Sequence, residues 1–387
     1  MKKRSTVIGV LCLLALLPSA GSSQKIWKLG GRVVPGPLPP RAEDGAPVLD
    51  VQSDVVYGEA GGRTLKLDFA KPSLCRDQNV PLIVYIHGGG WRTGDKSEAF
   101  GQIVIKMAFQ LGFAVASINY RLSPEFRFPA QIHDCKQAVR FLRANASVLG
   151  IDPDRIAAAG GSAGGHLASL LGTADEQDGL EGTGWPGISS RVIVVAEYFG
   201  PTDLSSAGSQ YPSEGLSMAT DLLGCDPFVC PEAARIASPI TYVSPGDPPM
   251  LIVHGEKDEL VPYRQAELFA EKLRLAGNAG ALIKVKNAGH LFIPNPLFSL
   301  ISPSLESIFF ITLAHLARYL EPALAGDLNM DGRTNYRDSW ELLQRLGLKG
   351  IGPGGVPAAY DWNPLADLVA DGVIDFRDMR EFFRIRS

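Results

Sequence analysis

A short glycine-rich turn constrains the fold of this chain more than any other feature. Residues 160–164 read Gly-Gly-Ser-Ala-Gly, after an apolar run at 155–159 and before a helix-like run at 166–171. When a Gly-x-Ser-x-Gly turn joins a strand to a helix, the two elements pass so closely that only small residues fit on either side of the serine. The serine hydroxyl then projects from the turn, and the next backbone N–H faces the same space. The pattern predicts a nucleophile at Ser162, with Ala163 as its oxyanion donor.

A second glycine-rich loop lies upstream of the serine. A His-Gly-Gly-Gly motif at residues 87–90 directly follows the apolar run at 84–86. The glycines of the motif are Gly88, Gly89 and Gly90. Because glycine has no Cβ, the backbone N–H groups of such a loop can approach a substrate oxygen closely. The motif is typical of the loop that stabilises the oxyanion in hydrolysis by a serine nucleophile, so these three glycines are predicted oxyanion donors. A flexible loop after a buried strand is the alternative.

The acid and the base are expected downstream, in the order Ser, Asp, His. An apolar run at residues 250–254 leads into a polar loop with Asp258, and a strand-like run at 281–286 precedes His290. Among the six histidines, only His290 falls in a loop that follows a strand beyond the acid, so it is the predicted general base. Asp258 is favoured as the acid by its position and its short side chain. Its alternatives are Glu256, Glu259 and Asp203.

Composition narrows the class of protein. The chain has 387 residues, enough for one large domain and a small one. It is 45% hydrophobic and 20% charged, as in an ordinary soluble globular protein. The formal net charge of −4 argues against nucleic-acid binding, which needs a basic surface.

The N-terminus resembles an export signal. Three cations at residues 2–4 precede an apolar run at 7–17, and small residues follow at 18–23. This order predicts a signal peptide over residues 1–23 and a secreted or periplasmic protein. The apolar run is shorter than the roughly 20 residues that cross a bilayer, so no membrane span is expected in the mature chain. An uncleaved anchor is the alternative.

Export would remove Cys12 and leave four cysteines, which allow three disulfide pairings. They are Cys75, Cys135, Cys225 and Cys230. Cys225 and Cys230 are near enough in sequence to close a small loop. Cys135 lies in a helix-like segment, where a buried free thiol is the expectation.

Strand-like and helix-like runs alternate through the central region. The strand-like runs lie at residues 64–69, 82–86, 114–119, 155–159, 192–199, 250–254 and 281–286. Helix-like runs at 131–144 and 263–276 fall between them. This alternation predicts an α/β fold, a doubly wound and mostly parallel sheet with helices on both faces. Functional loops then lie at the carboxyl ends of the strands.

Two further segments interrupt that pattern. Residues 24–49 are rich in Gly and Pro and are predicted to form an irregular lead-in. Residues 203–240 are rich in Ser, Gly and Pro, and are predicted to form an insertion that lies over the site. A plain surface loop is the alternative for the second segment.

Three motifs in this region resemble a known family. They are Asn-Tyr-Arg-Leu-Ser-Pro-Glu at 119–125, Phe-Pro-Ala-Gln-Ile-His-Asp-Cys at 128–135 and Gly-Gly-Ser-Ala-Gly-Gly-His-Leu-Ala at 160–168. Residues 50–322 resemble α/β-hydrolase-fold carboxylesterases, especially those of the BD-FAE type and the hormone-sensitive-lipase-like type. The resemblance implies an eight-stranded sheet and scaffolding roles at the site floor for Tyr120, Arg121 and Glu125.

For function, the resemblance implies a triad of Ser162, His290 and Asp258, with no cofactor for catalysis. It also implies action on short-chain, acetyl or feruloyl esters, some of them attached to plant polysaccharides. Two alternatives remain. One is a serine peptidase of the prolyl-oligopeptidase type, which would cleave amides. The other is a non-catalytic, hydrolase-like protein that binds its partners in a calcium-dependent manner.

The C-terminal region contains two similar twelve-residue loops, which form an internal repeat. Side-chain oxygens at positions 1, 3, 5, 9 and 12, with glycine at position 6, are typical of a calcium loop. The predicted ligands of the first loop are Asp327, Asn329, Asp331, the backbone of Arg333, Asn335 and Asp338. Those of the second are Asp367, Asp371, Asp375 and Asp378. Val369 provides no side-chain oxygen at position 3, so Ca²⁺ is expected first of all in the first loop.

Each loop is followed by one helix-like segment, and the pair resembles a dockerin module. The resemblance implies a small all-α domain over residues 326–387 and a cohesin-type protein partner.

Overall fold

The computed structural model describes residues 49–72, 79–99, 101, 108, 112–205 and 211–320. The predicted signal peptide, nearly all of the lead-in, Cys75 and the C-terminal repeat lie outside these residues. Among the helices that are described, none has both the length and the apolar character needed to cross a bilayer.

The core of the fold is one eight-stranded sheet. Its strands are β1 (Leu49–Ala60), β2 (Arg63–Pro72), β3 (Val80–Ile86), β4 (Ala114–Ile118), β5 (Ile151–Gly161), β6 (Val194–Tyr198), β7 (Met250–Gly255) and β8 (Gly280–Val285). The strand order is β1-β2-β4-β3-β5-β6-β7-β8. The β1–β2 and β2–β4 pairs are antiparallel, and every other pair is parallel. The predicted mostly parallel sheet is therefore confirmed.

Helices cover both faces of this sheet. They are α1 (Ala130–Ala144), α2 (Ala146–Leu149), α3 (Ala163–Thr173), α4 (Ser213–Leu223), α5 (Pro231–Ile236), α6 (Arg264–Leu275) and α7 (Leu305–Leu320). Successive residues of a strand point to opposite faces. In β3, Leu82 and Val84 join a buried cluster with α1, α3 and α6, whereas Ile83 and Tyr85 join a second cluster with α7. Because both faces are covered, the central strands are predominantly apolar.

The insertion between β6 and β7 contributes α4 and α5. The structure joins Cys225 to Cys230 by a disulfide between these two helices, and Cys135 is a buried free thiol. Arg92, just after the glycine loop, donates to Ser217 Oγ of α4 at 2.8 Å. The described part of the insertion therefore packs against the loop that carries the predicted oxyanion donors.

Candidate active site

Ser162 lies in a sharp turn between β5 and α3. Its φ of 55° and ψ of −122° are in a region that non-glycine residues rarely adopt. The backbone N–H of Ser162 donates to the Tyr198 carbonyl at 2.8 Å, and its carbonyl accepts from the His166 N–H at 3.0 Å. These bonds hold the strained turn in place. Ser162 as a whole residue is only 9% exposed, so the hydroxyl faces a confined space.

The glycines around the serine are required by close packing. A Cβ added at Gly160 would lie 2.5 Å from the Gly164 carbonyl, and one added at Gly164 would lie 2.0 Å from the Ile86 carbonyl oxygen. No side chain fits at these distances. The small residues that the sequence places on both sides of Ser162 therefore let β5, α3 and β3 approach each other.

His290 connects the serine to an acid. Its Nε2 lies 3.1 Å from Ser162 Oγ, and its Nδ1 lies 2.8 Å from Asp258 Oδ2. The ring also packs edge-on against Phe199, with the centroids 4.9 Å apart. These three side chains follow β5, β7 and β8, and the structure brings them together at the carboxyl edge of the sheet. The geometry allows a proton to pass from the hydroxyl to the imidazole.

Asp258 is buried and fully hydrogen-bonded. Its Oδ1 accepts from the backbone N–H groups of Leu260 and Val261 at 2.9 and 2.8 Å. Burial alone would raise the pKa of Asp258, but hydrogen bonds from His254 and His290 hold that pKa well below its usual range. The carboxylate is therefore charged at neutral pH and stabilises a protonated His290.

His254 is a residue that the sequence analysis did not connect with the site. It is fully buried, its Nε2 lies 2.8 Å from the Val261 carbonyl oxygen, and the same atom lies 3.3 Å from Asp258 Oδ2. The only sequence signal was a histidine at the end of the strand before the acid loop. That pattern does not reveal on which side of the loop the ring packs.

The three alternative acids lie elsewhere. Glu256 accepts from the Asn287 N–H at 3.5 Å, and Asp203 accepts from the Ser205 N–H at 3.0 Å. Glu259 lies against the backbone of Gly289. The structure therefore favours Asp258 as the partner of the imidazole.

The glycine loop runs beside the serine. The N–H of Gly88 donates to Glu98 Oε1 at 3.3 Å, so this group already has an acceptor. Gly89 and Gly90 have positive φ values of 104° and 59°, and Gly90 lines the same pocket as Ser162 and Ala163. The arrangement favours Gly89 and Gly90 over Gly88 as the oxyanion donors of this loop.

His166 braces that loop. Its Nδ1 accepts from Trp91 Nε1–H at 3.2 Å, and its Nε2 lies 2.7 Å from the Ala237 carbonyl oxygen. Burial lowers the pKa of His166 to about 4, so the ring is neutral and donates from Nε2. His166 thus ties the glycine loop to the insertion and has a structural role.

Tyr120 and Arg121 make buried contacts with elements next to the site. The Tyr120 hydroxyl donates to the His87 carbonyl oxygen at 3.0 Å, and its ring stacks on the imidazole of His87. Arg121 makes a two-pronged contact with the buried carboxylate of Asp134, at 2.7 and 2.8 Å. Tyr120 and Arg121 therefore have the scaffolding contacts that the resemblance implied. Glu125 instead pairs with Arg63 on the exposed surface, at 2.7 Å.

All the predicted calcium ligands lie beyond residue 320, outside the described residues. Within the part of the chain that is described, no group of three or more His, Cys, Asp or Glu side chains is placed to hold a metal ion.

The mostly parallel sheet and the contacts among Ser162, His290 and Asp258 together define an α/β hydrolase with a serine nucleophile. The family model for BD-FAE matches residues 67–273, and the chain belongs to the BD-FAE family. Esterase LipQ of Mycobacterium tuberculosis is 33% identical over 241 residues, which are 62% of this chain and 57% of LipQ. The chain thus spans little more than half the length of this curated relative.

Two solved structures are also similar. A truncated carbohydrate esterase from gut microbiota is 29% identical with a TM-score of 0.62, over 72% of this chain and 98% of that one. Esterase 2 of Thermogutta terrifontis with bound propionate is 27% identical with a TM-score of 0.53, over 72% and 94% of the two chains. The matched domain is accordingly a carboxylic ester hydrolase domain.

Proposed function

We propose that the whole protein is a secreted serine esterase that hydrolyses carboxylic esters through an acyl-enzyme. The observation that carries this proposal is the chain of contacts from Ser162 Oγ to His290 Nε2 at 3.1 Å and from His290 Nδ1 to Asp258 Oδ2 at 2.8 Å. Hydroxyl, imidazole and carboxylate in this order form the arrangement that activates a serine.

Each group then has a defined role. His290 takes the proton of Ser162 as the serine oxygen attacks the ester carbonyl carbon. The N–H groups of Ala163, Gly89 and Gly90 stabilise the oxyanion. Protonated His290 gives its proton to the departing alkoxide. It then takes a proton from the water that hydrolyses the acyl-enzyme, while Asp258 orients the ring throughout. Esterases of this kind need no cofactor for catalysis.

We infer that the substrates are short-chain, acetyl or feruloyl esters, with the acyl group attached to a carbohydrate alcohol. Two comparisons support a carbohydrate alcohol and a short acyl group, since one similar structure is a carbohydrate esterase and the other holds propionate. The pocket beside Ser162 is apolar and small, which also suits a short acyl group.

We also propose how the chain is organised around the hydrolase. Residues 1–23 direct export, residues 24–49 link the signal to the domain, and residues 50–322 form the catalytic domain. Residues 326–387 form a dockerin-like module that binds Ca²⁺ and a cohesin-type partner. The basic and apolar N-terminus and the repeated aspartate-rich loops support this organisation.

A serine substitution tests the mechanism. We expect Ser162→Ala to lower kcat for p-nitrophenyl acetate by about 10⁴-fold or more and to abolish labelling by a fluorophosphonate probe. Ser169→Ala is the matched control, since Ser169 is buried in α3 and its hydroxyl has no hydrogen-bond partner. Turnover by Ser162→Ala at the rate of the unmodified protein would contradict the mechanism.

A panel of acetyl, butyryl, feruloyl and acetyl-xylan esters, compared by kcat/KM, then ranks the substrates.

A further inference from the structure

The pocket beside Ser162 is bounded by the insertion. It has a volume of about 310 Å³, including the part open to solvent. Its apolar lining comes from Trp91 on one side, from Tyr211 and Met218 of the insertion, and from Leu260 after β7. A pocket with this apolar lining accepts a small organic group.

One polar group in this lining has no partner. The hydroxyl oxygen of Tyr211 is buried and makes no hydrogen bond with the rest of the described chain. Within the described residues, Tyr211 is the one residue that both lines this pocket and has such an orphan atom. Leaving a buried hydroxyl unsatisfied is costly, so a ligand acceptor at this point would be favoured.

The hydroxyl of Tyr211 acts as a donor. Burial, followed by the nearby carboxylates of Asp203 and Asp258, raises the pKa of Tyr211 well above its usual range. The phenol therefore keeps its proton over the whole working range of pH. Its natural partner is a neutral oxygen acceptor on the ligand.

The pocket lies on the acyl side of the ester. The leaving oxygen must face His290 in order to receive its proton. The pocket is lined by Ser162, Ala163 and Gly90, but His290 does not contribute to its lining. This lining favours the group attached to the carbonyl carbon as the one that enters the pocket.

We propose that Tyr211 is a specificity residue whose hydroxyl binds an oxygen substituent on a short acyl group, such as a hydroxyacyl or alkoxyacyl ester. This inference rests on the proposed function and narrows its substrate class. A plain alkyl group would leave the Tyr211 donor unpaired, whereas an ether or hydroxyl oxygen would accept its hydrogen bond. A site built to pair such an oxygen discriminates against the analogue that lacks it.

An isosteric pair of esters tests the inference. Methoxyacetyl and butyryl groups have the same chain length and differ by one oxygen in place of a methylene. We would measure kcat/KM for their p-nitrophenyl esters and form the ratio of methoxyacetate to butyrate in the unmodified protein and in Tyr211→Phe. Because intrinsic reactivity cancels between the two proteins, we expect the ratio to fall by about fivefold in the variant.

Three controls make the result specific. Tyr242→Phe removes a hydroxyl that donates to the Ile236 carbonyl at 2.6 Å outside the pocket, and it should leave the ratio unchanged. Thermal unfolding establishes that Tyr211→Phe is folded. The isosteric pair 2-methoxyethyl acetate and butyl acetate places the same oxygen on the alcohol instead.

The outcomes separate the two proposals. An unchanged acyl ratio in Tyr211→Phe, with ester turnover intact, would overturn the role of Tyr211 and leave the esterase standing. A change confined to the alcohol pair would overturn the acyl placement. Absence of turnover with every ester would instead contradict the proposed function itself.

Discussion

Two histidines share one carboxylate in this site. Asp258 Oδ2 lies 2.8 Å from His290 Nδ1 and 3.3 Å from His254 Nε2, while backbone N–H groups hold Oδ1. His254 does not reach the serine, so its effect on the reaction must pass through the acid. We therefore regard it as a positioning residue that fixes the orientation of the carboxylate toward His290.

Substitution of His254 should affect turnover more than binding. We expect His254→Phe to lower kcat on the order of tenfold with little change in KM, because the acid loop loses the contact of His254 Nε2 with the Val261 carbonyl oxygen and the carboxylate of Asp258 shifts. His254→Gln keeps an N–H at a similar place and should recover part of the loss. Steady-state kinetics on p-nitrophenyl acetate measures both variants. Equal kcat values in His254→Phe and His254→Gln would show that the side-chain N–H at position 254 does not contribute to turnover.

Glu197 is a buried acid that lies behind the serine turn. It is fully buried in β6, and it accepts a hydrogen bond from the Gly200 N–H. Burial raises the pKa of Glu197 to about 8, and the hydrogen bond from Gly200 only partly offsets this effect. The residue is therefore protonated in the folded protein at neutral pH.

This shift predicts a pH-dependent stability. The unfolded chain loses the proton of Glu197 at about pH 4.5, whereas the folded protein keeps it up to about pH 8. Between these values the folded state binds more protons, so the free energy of unfolding falls as pH rises. We expect Glu197→Gln, which cannot ionise, to gain stability relative to the unmodified protein from pH 5 to pH 8. Urea unfolding at pH 5 and at pH 8 measures the free energy of unfolding of both proteins. If this free energy changes equally with pH in the variant and in the unmodified protein, the raised pKa of Glu197 is contradicted.

At the scale of elements, the crossing of β5, α3 and β3 decides where the nucleophile stands. A Cβ at Gly164 would lie 2.0 Å from the Ile86 carbonyl oxygen. We expect Gly164→Ala to lower the free energy of unfolding by about 3 kcal/mol, because backbone must move to accept the methyl group. Gly277→Ala is the control, since its Cβ meets open space and only its φ of 82° is unfavourable. It should cost about 1 kcal/mol. Chemical unfolding measures the free energy of unfolding of both variants. Equal losses of this free energy would show that the backbone where β5, α3 and β3 cross can move to accept a methyl group.

The central strands could be predicted from sequence, and the edge strand could not. The predicted runs at 82–86 and 250–254 lie within β3 and β7, because strands covered on both faces are predominantly apolar. Strand β1 was not predicted. Its pairing with β2 shifts register between Gln52 and Val55 and again between Val56 and Gly58. These irregularities break the alternation that identifies an edge strand.

At the scale of the whole molecule, the predicted division after residue 322 can be tested by truncation. We expect deletion of residues 326–387 to leave kcat/KM within about twofold, because the triad, the glycine loop and the insertion all lie within the described hydrolase domain. Isothermal titration should show Ca²⁺ binding to the full chain and its loss on truncation. Loss of esterase activity together with the tail would contradict the division.

The sequence by itself determined the nucleophile turn, the order of acid and base and the alternation of strands and helices. These features are local: a turn needs glycines, and a buried strand needs an apolar run. Only the tertiary structure decided which groups meet across the carboxyl edge of the sheet. It placed His254 on Asp258, engaged the Gly88 N–H with Glu98 and left the Tyr211 hydroxyl unpaired beside Ser162. Such contacts depend on how distant loops fold back, and no periodicity in the chain encodes their direction.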